Sequence, residues 1–148
     1  MASFLSGPWA AQASPVSYEL PFIGSVSAGF PSPAADWSEE RVDLNLRYIS
    51  HPEATFYFTV SGDSMVSVNP ERSIPDGALL IVDRALAAQH NDIVVAIVDN
   101  DFTVKRLFQR QQRLALLAEN PAYAPIILGD EQELVIWGVV RAWIVEAR

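Results

Sequence analysis

From residue 55 onward, β-branched and aromatic residues come in short runs separated by turn residues, and this rhythm most limits how the chain can fold. Thr55-Phe-Tyr-Phe-Thr-Val60 reads as a strand, Pro75-Asp-Gly77 as a turn, and Ala78-Leu-Leu-Ile-Val82 as a second strand. Asp92-Ile-Val-Val-Ala-Ile-Val98 follows, and Asp99-Asn-Asp101 joins it as a hairpin to Asp101-Phe-Thr-Val-Lys-Arg-Leu-Phe108. Residues 114–118, 125–128 and 134–145 complete the series, with Gly138 marking a bulge or bend in the last run. Strands this short and closely spaced predict a mainly β, compact domain with curved sheets.

The first part of the chain has a different grammar. Prolines at 8, 15, 21, 31 and 33, with small residues between them, cannot sustain a helix and predict an extended N-terminal arm. The chain therefore divides into an arm over residues 1–50 and a β-rich domain over 51–148. Within the arm, Asp36-Trp-Ser-Glu39 has capping-box spacing, and Trp37, Val42, Leu46 and Ile49 loosely fit a helical face, so a short helix or a single turn is expected there.

Charge and composition exclude several functions. A net charge of -8 argues against direct nucleic-acid binding, which needs clustered Lys and Arg. With no cysteine there is no disulfide, thiolate metal site or Cys nucleophile. His51 and His90 lack ligand-spaced partners and read as solvent-facing loop residues, so neither a metal nor another cofactor is expected. No apolar run is long enough to span a membrane. Val26-Ser-Ala28 has the small residues of a signal-peptidase site, but the first basic residue is Arg41 and prolines interrupt any apolar core, so a cytoplasmic protein is expected.

One lysine, Lys105, stands among nine arginines, and a lysine amine can lose its proton on burial whereas a guanidinium cannot. Upstream, Ser61-Gly-Asp-Ser-Met65 is a sharp reversal that exposes the Ser64 hydroxyl. A serine needs an adjacent base to become a nucleophile, and a desolvated lysine can serve. Phe102, Val104, Leu107 and Ile97 are the candidates for an apolar surround, Thr103 shares the Lys105 face and could orient the amine, and the Met65 N–H could hold an oxyanion. Asp63 and Asp76 read as turn formers. The residues alone leave two readings open: a Ser–Lys catalytic pair, or a wet-face strand lysine and an ordinary turn.

Taken in order, three segments resemble the UmuD-like branch of the LexA/UmuD self-cleaving peptidases: residues 27–36 the cleavage region, Ser61-Gly-Asp-Ser-Met65 the nucleophile motif, and Phe102-Thr-Val-Lys-Arg106 the base strand. Residues 75–83, 91–95 and 119–125 match in style, and the resemblance runs from about residue 27 to 146. It implies Ser64 as nucleophile, Lys105 as base and Ala28-Gly29 as the bond cut. It also implies a LexA/signal-peptidase-like domain and a homodimer. Self-cleavage would be stimulated by a RecA–single-stranded DNA filament, and the trimmed form would work with an error-prone translesion polymerase in the SOS response. The chain departs from the pattern in a longer segment between Met65 and Pro75, where Asn69-Pro-Glu-Arg72 is expected to protrude, and in Asn91 at a position where glycine is usual. Asn is the best substitute there if φ is positive.

Three other readings compete. A non-catalytic interaction subunit would keep the fold without the chemistry. A LexA-type repressor needs a DNA-binding domain before the cut, where 28 residues carry Glu19 as their sole charge. A leader peptidase would need a membrane anchor.

Overall fold

In the computed structural model, residues 4–10, 19–22, 40–128 and 134–148 are described. Four expected strands form the centre: β4 (Thr55–Ser61), β5 (Leu79–Asp83), β6 (Ile93–Val98) and β7 (Asp101–Arg110). β8 (Arg113–Leu117), β9 (Ile126–Ile127) and β10 (Leu134–Ile144) match the later runs to within a residue or two. β1 (Phe4–Ala10), from the segment expected as an arm, pairs antiparallel with β4. β2 (Leu20–Phe22) and β3 (Glu40–Val42) form a separate two-stranded ribbon.

The large antiparallel sheet has the order β1-β4-β5-β10-β6-β7-β8-β9. It curls into a half-barrel, so that β1 lies against β7 although four strands separate them in the sheet. Alternation along β6 explains why its apolar run is nearly continuous: Val95 packs with Phe58, Leu80 and Val104, whereas Val94 and Ala96 pack with Leu107, Leu116 and Val139. Both faces of β6 are covered.

Two turn readings hold. Asp99 and Asn100 have φ of 49° and 71°, the left-handed pair that a tight β6–β7 hairpin requires. The ladder between β10 and β6 shifts register between Ile136 and Gly138. A Cβ at Gly138 would lie 2.6 Å from Val82 Cγ1, which is why that strand carries no side chain there. Asn91 has φ of 74°, as expected for the residue standing in for glycine.

The expected helix is seen in its later part only. Asp36–Glu39 and Trp37 lie outside the described residues, and Val42 belongs to strand β3. The helix, α1 (Leu44–Tyr48), is a single short one capped by Asp43, whose Oδ1 accepts from the Asn45 N–H at 2.9 Å. A side-chain acceptor two residues before an orphan backbone donor is a local interaction that wins over loose periodicity.

Candidate functional site

Ser64 sits in the turn after β4, and its residue is completely buried. The turn is fixed from both flanks. Gly62 has φ of 95°, which admits the reversal, and its N–H donates to Asp76 Oδ1 at 2.7 Å. The Val66 N–H donates to the Asp63 carbonyl at 3.1 Å, and the Ile74 N–H to the Met65 carbonyl at 2.8 Å. Asp63 and Asp76 therefore act as turn formers.

Lys105 projects from the middle of β7 and is 4% exposed. Its Nζ lies 3.0 Å from Ser64 Oγ, 3.1 Å from Thr103 Oγ1 and 3.1 Å from the Val104 carbonyl oxygen. All three partners are neutral, and among the described residues no carboxylate pairs with the amine. Burial without a counter-charge lowers its pKa from 10.5 to about 8, because desolvation penalises only the protonated form. The wet-face reading of this lysine does not survive its burial.

The apolar surround differs in part from expectation. Strand register sets Val94 directly across from Lys105 and Ala96 across from Thr103, with Leu107 two residues along on the same face. Ile97 pairs with Phe102, and Val104 with Val95, on the opposite face. Of the four expected residues only Leu107 faces the same way as Lys105; Val94 and Ala96 were legible from the same alternation that points Arg106 away.

Met65 is buried immediately after Ser64, and among hydrogen bonds of the described residues its N–H serves no other acceptor. Ala28 and Gly29 lie outside the described residues.

A second loop, not singled out for any role from the sequence, closes on the Ser64 turn. The Asn120 N–H donates to the Ser64 carbonyl at 3.0 Å, and Asn120 Nδ2 to the Asp63 carbonyl at 3.1 Å. Tyr123 Oη donates to Asp63 Oδ1 at 2.5 Å, a bond that holds the phenol pKa up to about 12. Glu119 joins Arg106 on β7 to Arg72, whose N–H closes the exposed turn from Asn69. The Asn69–Arg72 segment is solvent-exposed, as expected, and clasped to the site region by that carboxylate.

The histidines are loop residues, but neither simply faces solvent. His51 Nδ1 lies 2.6 Å from buried Asp83 Oδ2, and His90 Nδ1 accepts from the Gln109 N–H at 3.0 Å. Among the described residues, no helix is long and apolar enough to cross a membrane.

Comparison with known proteins first gives the class. Residues 21–141 match the family described as Peptidase S24-like, and the chain belongs to that family, which includes self-cleaving serine peptidases. Within it the resemblance is to UmuD-like proteins. Protein SamA of Salmonella typhimurium is 46% identical over 135 residues, covering 90% of this chain and 91% of the relative. Protein MucA of Escherichia coli is 40% identical over 131 residues, covering 87% and 86%. The LexA repressor of Clostridium perfringens is 36% identical over 126 residues, which is 84% of this chain but 60% of the repressor.

Proposed function

We propose that the chain is a self-processing serine endopeptidase that cuts its own Ala28-Gly29 bond with Ser64 and Lys105. We further propose that the trimmed form, as a homodimer, is the accessory subunit of an error-prone translesion polymerase. The observation carrying the first part is the buried amine 3.0 Å from the Ser64 hydroxyl, with no counter-charge among the described residues. A neutral amine has two N–H donors and one lone pair. The Val104 carbonyl can only accept, and Thr103 Oγ1 can accept the second N–H, which leaves the lone pair for the Ser64 proton.

As Ser64 Oγ attacks the Ala28 carbonyl carbon, Lys105 takes the hydroxyl proton. The carbonyl oxygen becomes an oxyanion that accepts from the Met65 N–H. The Ala28–Gly29 C–N bond then breaks, and the ammonium of Lys105 returns its proton to the leaving Gly29 amine. Lys105 next deprotonates a water that attacks the Ala28–Ser64 ester. Ser64 recovers the proton as the Ala28 carboxylate departs. Tethering raises the effective concentration of the bond, so a modest catalyst suffices.

The polymerase role, the cytoplasmic setting and stimulation by a RecA–single-stranded DNA filament are carried by similarity to SamA, MucA and other UmuD-like proteins. N-terminal sequencing after incubation at rising pH, with and without the filament, tests the cut: the new terminus should begin at Gly29. A different terminus, or cleavage that persists in Ser64→Ala, would contradict it. Co-purification with the error-prone polymerase subunit before and after trimming tests the second part, which predicts tighter capture by the trimmed form.

A further inference from the structure

Asn120 grips both carbonyls that flank the nucleophile. Its backbone N–H holds the Ser64 carbonyl at 3.0 Å, and its Nδ2 holds the Asp63 carbonyl at 3.1 Å. The Ser64–Met65 peptide bond is trans, since the cis bond among the described residues is Gly7-Pro8. In a trans peptide the C=O and the following N–H point in opposite directions. Pulling the Ser64 carbonyl toward Asn120 therefore turns the Met65 N–H away from the 119–123 loop.

We propose that Asn120 is a positioning residue that aims the Met65 N–H at the developing oxyanion. The inference rests on the roles of Ser64 and Met65 given under Proposed function. Asn120 itself is held by its own loop: Oδ1 accepts from the Ala122 N–H at 3.0 Å, and its carbonyl from the Tyr123 N–H at 3.1 Å. The neighbouring Glu119 ties the loop to Arg106, one residue from Lys105. Glu119 and Asn120 thus link the base strand to the nucleophile turn through consecutive residues. Asn suits this place because one side chain must both donate outward and accept from its own backbone, which neither Asp nor Ser does in the same geometry.

The test is single-turnover self-cleavage of the full chain from pH 6 to 10 for wild type, Asn120→Asp, Asn120→Ala and Ser64→Ala. The two variants at Asn120 keep the backbone N–H on the Ser64 carbonyl and lose the Nδ2 donor that fixes the Asp63 end of the same turn, and Asn120→Asp also keeps the acceptor for Ala122. Both Asn120 variants should lower the alkaline plateau about 10- to 100-fold, approaching the cost of an oxyanion donor, with the rate midpoint of Asn120→Ala unmoved and that of Asn120→Asp raised by its added carboxylate. Labelling of Ser64 by a fluorophosphonate, whose phosphoryl oxygen uses the same donor, should slow in parallel and gives a second readout. A plateau within about twofold of wild type, or a shifted midpoint in Asn120→Ala, would overturn the proposal, the latter by placing the effect on Lys105. Ser64→Ala cleaving like wild type would instead remove the underlying nucleophile assignment, and this proposal with it. Equal loss in both assays with wild-type amide-exchange protection supports positioning, whereas loss accompanied by unprotected amides across β7 would mark plain unfolding and overturn it.

Discussion

Two buried ionisable side chains sit on the same sheet, with two strands between them, and are treated in opposite ways. Asp83, at the end of β5, is 2% exposed and receives donors suited to a carboxylate: the His51 ring at 2.6 Å and the Ala85 N–H at 2.8 Å. Lys105 is 4% exposed and, among the described residues, meets only neutral oxygen atoms. The first arrangement ties a loop to the sheet. The second lowers the proton affinity of an amine that sits beside a hydroxyl. Depth alone does not separate structure from chemistry; what the buried group meets does.

The sharpest way to break the comparison is to swap or remove members of each pair. Ser64→Ala and Lys105→Arg should each lower self-cleavage by more than about 10³-fold, the latter because a guanidinium cannot act as base. His51→Ala should leave the rate within about twofold. Single-turnover rates followed by intact mass check both, and equal losses at the two pairs would erase the distinction.

Next comes pH. With Lys105 titrating at about 8, cleavage should rise roughly 100-fold between pH 6 and 9 and then level off. A flat profile over that range would remove the lysine as base.

Stability gives the same contrast thermodynamically. The folded pKa of Lys105 is about 8 and its unfolded value about 10.5, so between these pH values the unfolded chain binds more protons. Folding is penalised fully below pH 8 and the penalty fades as pH rises to 10.5. Against Lys105→Met, the wild type should therefore gain about 3 kcal/mol from pH 7 to pH 11. Urea unfolding at several pH values reads this gap, and a constant difference would contradict the desolvated amine. His51→Ala should cost a smaller amount, about 1–3 kcal/mol at pH 7, by stripping a partner from buried Asp83.

Much of the strand layout was legible because local chemistry agrees with the fold. Asp99 and Asn100 tolerate positive φ and so announce their hairpin, and Gly138 announces its bulge. The β7–β8 hairpin was not announced. Gln111 and Gln112, with φ of 50° and 64°, have no such preference and are held there by strand pairing. Nor does any local signal place β10 between β5 and β6, since that order is set by contacts distant in sequence. Ser64 and Lys105 stood out by residue type and turn context. Asn120 and Glu119 did not, because their roles depend on carbonyls and guanidinium groups that are distant in sequence.

Lys105 is the sole lysine, so ¹⁵N-lysine labelling yields a single side-chain Nζ resonance. An NMR titration of that signal in folded Ser64→Ala, which cannot process itself, reads the proton affinity of the amine without kinetics. A midpoint close to 8 is the predicted result. A midpoint at the ordinary lysine value of about 10.4 would leave fewer than about one amine in 10³ neutral at pH 7, where a midpoint of 8 leaves about one in ten, and the proposed chemistry would lack its base.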